Sequence, residues 1–200
     1  MQALRPDRAG ALLVQRSHAL ARAGRCDDAG KLIDDSLAGD PDNHDALVER
    51  FWSSVLCRST GEALQYAEAL LSRPDPSEND LNSVAWFRLV AGSDLPAALD
   101  LARRAVALNR GAPNSVNTLA AIEAESGDLG HAIEDTWKAL ALENAIAPGP
   151  ADWYVLGRIY DRLDLVDDAR AAYKRVTTES GEPWSSYELA RKRLAELARR

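Results

Sequence analysis

The chain has 200 residues and a formal net charge of −7, because 31 aspartates and glutamates outnumber 24 lysines and arginines. An acidic chain without a basic patch outside its C-terminal end is unsuited to nucleic acid, whose phosphate backbone is bound by clustered cations. No apolar run approaches the roughly 20 residues of a membrane-spanning helix, and the first residues carry no convincing secretory signal. We therefore expect a cytoplasmic protein with neither nucleic-acid nor membrane partners.

Residue usage adds expectations about source and redox state. Only 4 of the 24 basic residues are lysine, a bias that, together with abundant alanine, indicates a GC-rich bacterial genome. Cys26 and Cys57 are the only cysteines, and both fall near predicted turns. They could approach each other in space, but we expect two free thiols in a reducing compartment.

Taken in chain order, the first predicted elements are a pair of amphipathic helices at about 8–23 and 27–38. Gly24 lies at the turn between them, and Pro41 closes the unit because proline cannot continue the helix in front of it. Similar pairs follow along the chain, each bounded by turn residues. A single pair leaves apolar surface on both sides, so neighbouring pairs are needed to bury it.

The clearest of these pairs is Pro113–Ala145. Gly127 can adopt the left-handed conformation that ends its first helix, and Asp128 can then cap the second helix. The longest break in the array follows at 144–150, before the last pair. The segment 184–200 is predicted to be a single helix that seals the open end of the stack.

Two sets of positions recur at nearly constant spacing, which indicates an internal repeat. An alanine early in each second helix recurs at intervals of 34, 35, 34 and 37 residues, as Ala29, Ala63, Ala98, Ala132 and Ala169. A mid-position of each first helix recurs at 34, 34, 35 and 37 residues, as Ser17, Phe51, Ala85, Ala120 and Gly157. The agreement between the two registers predicts five helix pairs.

These residues resemble the tetratricopeptide repeat (TPR) family, whose 34-residue unit follows the pattern W-x2-L-G-x2-Y…A-x3-F…P. The best match is the last copy, with Trp153, Leu156, Gly157, Tyr160, Ala169, Tyr173 and Pro183. The fourth copy keeps Leu119, Ala120, Gly127, Ala132 and Ala139. It departs from the pattern at Glu123, which stands where the aromatic residue belongs.

The resemblance implies an all-α fold, a right-handed α-solenoid of five helix-turn-helix repeats with a C-terminal capping helix. We expect a single domain over residues 1–200. Its predicted parts are repeats at about 10–43, 44–77, 78–112, 113–149 and 150–183, followed by the capping helix at 184–200.

The family's first helices line a concave groove, so the resemblance also implies a protein or peptide partner bound there. The expected groove residues are His18, Arg22, Trp52, Asn82, Trp86, Asn117, Ala121, Tyr154, Arg158 and Asp161. Asn82 and Asn117 stand one repeat apart and could clamp a peptide backbone, because an amide side chain both donates and accepts. The alternative is that each asparagine bonds its own helix. Trp52, Trp86 and Tyr154 would contact the partner's side chains.

Catalytic and metal-binding motifs are missing from the sequence. His18, His44 and His131 are isolated, and no phosphate-binding loop or nucleophile elbow occurs. We therefore expect a protein without enzyme activity, cofactor or metal.

Three readings of the function remain open. The first is an interaction scaffold or adaptor, which could be a segment of a larger protein. The second is self-association, in which Trp137 on a second helix or an incompletely sealed first repeat mediates a homodimer. The third is a regulatory subunit that binds a small ligand in the groove.

Overall fold

The computed structural model describes residues 6–144, 146–177 and 184–199, and these residues form eleven α-helices and no β-strand. The helices are α1 (Pro6–Arg22), α2 (Cys26–Gly39), α3 (His44–Leu56), α4 (Thr60–Leu71), α5 (Glu78–Ala91), α6 (Leu95–Leu108), α7 (Pro113–Ser126), α8 (Leu129–Leu142), α9 (Pro150–Arg162), α10 (Val166–Lys174) and α11 (Ser186–Leu197). The predicted all-α fold class is confirmed. Pro183 and Arg200, which belong to the predicted last repeat and cap, lie outside the described residues.

The helices form two compact units, which we call unit 1 (Met1–Pro76, with α1 to α4) and unit 2 (Ser77–Arg200, with α5 to α11). Within each unit, consecutive helices pack as pairs. The single domain expected over residues 1–200 stays a prediction. No described helix has the length and apolar character needed to cross a membrane.

Local signals at the helix ends explain where the pairs turn. Helix α5 begins with a capping box, in which the Ser77 hydroxyl accepts from the Asp80 backbone N–H while the Asp80 carboxylate accepts from that of Ser77. Helix α7 ends at Gly127, whose φ of 87° is left-handed as predicted. Asp128 does precede α8, but the expected side-chain cap is wrong, because its carboxylate contacts the His131 ring instead.

The repeated small residues allow the helices of a pair to approach closely. The alanines of the second-helix register are fully buried, namely Ala29, Ala63, Ala98, Ala132 and Ala169. In the last pair Gly157 of α9 lies against Tyr173 of α10, and a Cβ on Gly157 would stand 2.6 Å from that ring. Side-chain volume at these positions therefore sets the spacing of the helices.

The last helix, α11, packs against both α9 and α10. Its Ala190 and Leu197 side chains are buried in that contact. The Arg170 guanidinium of α10 also donates to the Leu197 carbonyl oxygen at 2.7 Å, which satisfies one of the unpaired acceptors at the end of α11.

Candidate partner-binding surface

The first helices of the three pairs in unit 2 form a row in which α7 packs against both α5 and α9. We call α5, α7 and α9 the first-helix row of unit 2. Seven of the ten predicted groove residues lie on it: Asn82, Trp86, Asn117, Ala121, Tyr154, Arg158 and Asp161. Their surroundings differ from one residue to the next.

The two asparagines of the predicted clamp are in unequal positions. Asn117 is 6% exposed, and its amide nitrogen donates to the Asp152 carboxylate of α9 at 2.6 Å. Asn82 is half-buried, and its side-chain oxygen is buried without a hydrogen-bond partner among the described residues. A buried acceptor left unpaired costs about 1–3 kcal/mol.

Trp86 lies one turn after Asn82 on α5, so the two side chains share a helix face. Its indole nitrogen donates to the main-chain carbonyl oxygen of Trp184 at 2.7 Å. Its ring meets that of Tyr154 edge-on, with centroids 6.4 Å apart. The row therefore already binds a polypeptide carbonyl from a distant part of the chain.

Tyr154 is buried between Trp86 and Tyr173, whose ring centroid lies 6.2 Å from that of Tyr154. Burial raises the pKa of the Tyr154 hydroxyl. Ala121 is also fully buried. Tyr154 and Ala121 thus belong to the interior of unit 2.

A charge network with buried and half-buried members joins α7, α9 and α11. Arg158 donates to the carboxylate of Glu125 and, at 2.9 Å, to that of Asp161, while Arg193 of α11 donates to Glu125 at 2.5 Å. Burial raises the pKa of the Glu125 carboxyl, but the hydrogen bond from Arg158 and the charges of Arg158, Arg193 and Arg162 outweigh it, so that the pKa is lowered. Arg158 and Asp161 therefore have partners within unit 2.

The other three predicted groove residues lie in unit 1. His18 of α1 is half-buried, and its Nε2 atom lies 3.6 Å from the Glu49 carboxylate of α3. Trp52 of α3 is half-buried with its ring against Phe51, and Arg22 is exposed at the end of α1. Glu49 was not among the residues predicted from the sequence. A glutamate within an otherwise apolar helix face is a signal that could have identified it.

The same unit contains a disulfide between Cys26 and Cys57, with Cα atoms 5.8 Å apart. The expectation of two free thiols is therefore wrong. Cys26 begins α2 and Cys57 follows the last residue of α3, and packing of α2 against α3 brings these two ends side by side.

The paired helices, the buried alanine register and the Gly157–Tyr173 contact define the tetratricopeptide-repeat fold. No protein-family model matches the sequence, and no curated protein matches it. Solved structures with this fold do match it. One is TTC0263, a thermophilic TPR protein in Thermus thermophilus, at 19% identity and a TM-score of 0.66 over 96% of this chain and 100% of that chain.

Two further structures extend the comparison. PilW, a type IV pilus biogenesis factor, has 17% identity and a TM-score of 0.68 over 94% of this chain and 90% of that chain. YrrB, a TPR protein with an unusual peptide-binding site, has 16% identity and a TM-score of 0.59 over 91% of each chain. The resemblance to TPR proteins is thus confirmed at the level of the fold.

Proposed function

We propose that this protein is a non-catalytic interaction scaffold that binds a peptide segment of a partner protein at Asn82 and Trp86, on the first-helix row of unit 2. The observation that carries the proposal is the buried, unpaired side-chain oxygen of Asn82. Asn82 as a whole is half-buried, and rotation of its amide about χ2, a torsion with broad preferences, would bring the oxygen to a backbone N–H of a bound peptide.

Trp86 supports the same proposal from the next turn of α5. Its indole nitrogen already recognises a main-chain carbonyl, that of Trp184. Because that indole N–H is engaged, Trp86 would contribute its ring to the peptide's side chains, while the Asn82 amide carries both an acceptor and a donor, which match the two polar groups of a peptide unit. YrrB, which shares the fold, is a TPR protein with a peptide-binding site.

The remaining predicted groove residues take supporting roles in this proposal. Asn117, Ala121, Tyr154, Arg158 and Asp161 are buried, so they would fix the shape of the surface beneath the peptide. His18, Arg22 and Trp52 would provide a separate contact on unit 1. The predicted clamp is thereby reduced to one peptide-binding asparagine, Asn82, whereas Asn117 has a structural role between α7 and α9.

The experiment that tests this function is selection of binding peptides from a random display library on the purified full chain. Dissociation constants of the selected peptides are then measured for the wild type, Asn82→Ala and a matched control, Arg104→Ala, whose side chain is exposed on the second helix α6. We expect Asn82→Ala to weaken binding about tenfold or more, the equivalent of one buried hydrogen bond. Arg104→Ala should bind like the wild type.

Circular dichroism and melting curves of the variants show whether their fold is intact. Peptides that bind Asn82→Ala and the wild type equally well would disprove the assignment of the site. A library that yields no binder at all would disprove the peptide-binding function for this chain.

A second candidate function is self-association through α8. Ile133 and Trp137 are one turn apart on this helix, and their exposed fractions are 40% and 63%. Adjacent exposed apolar side chains are typical of interfaces. Sedimentation over a concentration series should show a dimer that Trp137→Ala dissociates, whereas a monomer at every concentration excludes this role.

The disulfide of unit 1 argues against the predicted cytoplasmic location. Disulfides persist in oxidising compartments and are rare in the cytosol, so the Cys26–Cys57 bond favours a location outside the reducing cytoplasm. Alkylation of free thiols in intact cells, followed by mass spectrometry of both cysteines, decides between the two locations.

A further inference from the structure

Glu123 is a buried carboxylate at the position where the repeat pattern has an aromatic residue. It is 3% exposed, and its Oε2 atom has no hydrogen-bond partner among the described residues. Burying a carboxylate without a partner is costly, so each such group requires an explanation. The peptide-binding function proposed above makes no use of it.

Two further side chains converge on Glu123 from the start of the next helix. Asp128 stands immediately before α8, and His131 lies in the first turn of α8. The Gly127 turn holds the end of α7 against the start of α8. As a result, one oxygen of Glu123, one oxygen of Asp128 and one ring nitrogen of His131 all lie within 4.8 Å of one another.

The three side chains of this cluster also affect one another's protonation. Burial, together with the neighbouring charges of Asp135 and Asp128, raises the pKa of the Glu123 carboxyl to about 7, against the opposing effect of the cations His131 and Arg103. The hydrogen bond between Asp128 and His131, 2.8 Å long, lowers the pKa of Asp128 and raises that of His131. Binding of a metal ion would therefore release protons from Glu123 and His131.

We propose that Glu123, Asp128 and His131 form a binding site for a divalent transition-metal ion, with Zn²⁺ as the best match. Imidazole nitrogen and carboxylate oxygen are both ligands that zinc accepts, and a water molecule would complete its tetrahedron beside these three side chains. Mg²⁺ and Ca²⁺ prefer six or more oxygen ligands and fit this set poorly. The ion would provide the partner that the buried Glu123 oxygen lacks, and it would replace the hydrogen bond between Asp128 and His131.

Titration calorimetry of the metal-stripped full chain with ZnCl₂ at pH 7.5 tests the site, and MgCl₂ serves as the parallel titrant. His131→Ala is the principal variant, because its side chain is largely exposed and its removal leaves the core intact. His44→Ala is the matched control, since His44 is another accessible histidine beside a carboxylate, at 3.6 Å from Asp45. Glu123→Gln removes the buried ligand.

We expect one Zn²⁺ per wild-type chain, with a melting temperature that rises on binding. His44→Ala should bind equally well, whereas His131→Ala and Glu123→Gln should each lose at least tenfold in affinity. Mg²⁺ should not bind detectably. Absence of saturable one-to-one Zn²⁺ binding, or equal binding by His131→Ala and the wild type, would overturn the proposal. So would a loss of binding in His44→Ala alone.

Discussion

At the scale of single residues, Glu123 makes stability depend on pH. Its pKa of about 7, against an ordinary value of 4.5, means that folding favours the protonated acid. The resulting stability is fully present below pH 4.5 and is lost as pH rises towards 7, because the native state binds the proton more tightly than the unfolded chain. The loss amounts to about 3 kcal/mol.

Urea unfolding between about pH 4.5 and 8, in the presence of a metal chelator, measures this loss. Glu123→Gln should largely abolish the decline, since its amide does not ionise. Glu134→Gln on the exposed side of α8 is the control, and its free energy of unfolding should decline with pH like that of the wild type. If the free energy of unfolding fell equally with pH in Glu123→Gln and in the wild type, Glu123 would not be the cause of the pH dependence.

Gly157 gives a second residue-scale prediction. A Cβ at this position would lie 2.6 Å from the Tyr173 ring, which is itself fully buried and has no room to withdraw. We expect Gly157→Ala to lower the free energy of unfolding by roughly 1–3 kcal/mol through overpacking. Gly130→Ala on α8 is the matched control, because no atom lies within 4 Å of its added Cβ and helix propensity favours alanine. Denaturant titrations that give both variants the same stability would contradict this prediction.

At the scale of elements, the Cys26–Cys57 disulfide ties the start of α2 to the end of α3. The two cysteines are 31 residues apart in sequence. A disulfide that closes a loop of this size stabilises a fold by about 3–4 kcal/mol, because it restricts the unfolded chain. Cys26→Ser/Cys57→Ser should lower the stability of unit 1 by that amount. Urea unfolding measures it, followed by fluorescence in chains whose four other tryptophans are replaced by phenylalanine so that Trp52 alone reports on unit 1. A variant as stable as the oxidised wild type would refute the prediction.

Helices and turns were predictable because their signals are local. The alanine register at about 34 residues identified each second helix, and the fully buried Ala98 and Ala132 show why that position is small. Gly127 was recognised as a helix end from its own conformational freedom. Such signals depend on a few neighbouring residues and are complete in the sequence.

The surroundings of the candidate site were not predictable in the same way. The Trp86 indole meets a carbonyl 98 residues further along the chain, and Asn117 meets Asp152 of another helix. No periodicity encodes either contact, since each depends on how whole helices are rotated. The grouping of Glu123 with His131 was not predicted for a related reason, because their spacing spans a turn and matches no known metal motif.

At the scale of the whole molecule, the two units contain different numbers of repeats. Among the residues that the structure describes, unit 2 holds three helix pairs and α11, whereas unit 1 holds two pairs and the disulfide. A repeat array needs about three units to bury a continuous core, since each pair is stabilised mainly by its neighbours. Unit 2 therefore meets this requirement by itself, and unit 1 depends on its covalent link.

We accordingly expect residues 77–200, expressed alone, to retain helical structure and cooperative melting, with no response to reductant. The Ser77–Asp80 capping box starts α5 within this fragment, so the cut removes no residue that α5 needs for its cap. Residues 1–76 alone should be helical when oxidised and should lose most of that structure once the disulfide is reduced. Circular dichroism melts of both fragments, with and without reductant, provide the measurement. A fragment 77–200 that is unfolded, or a fragment 1–76 indifferent to reductant, would show that repeat number does not determine which unit is stable by itself.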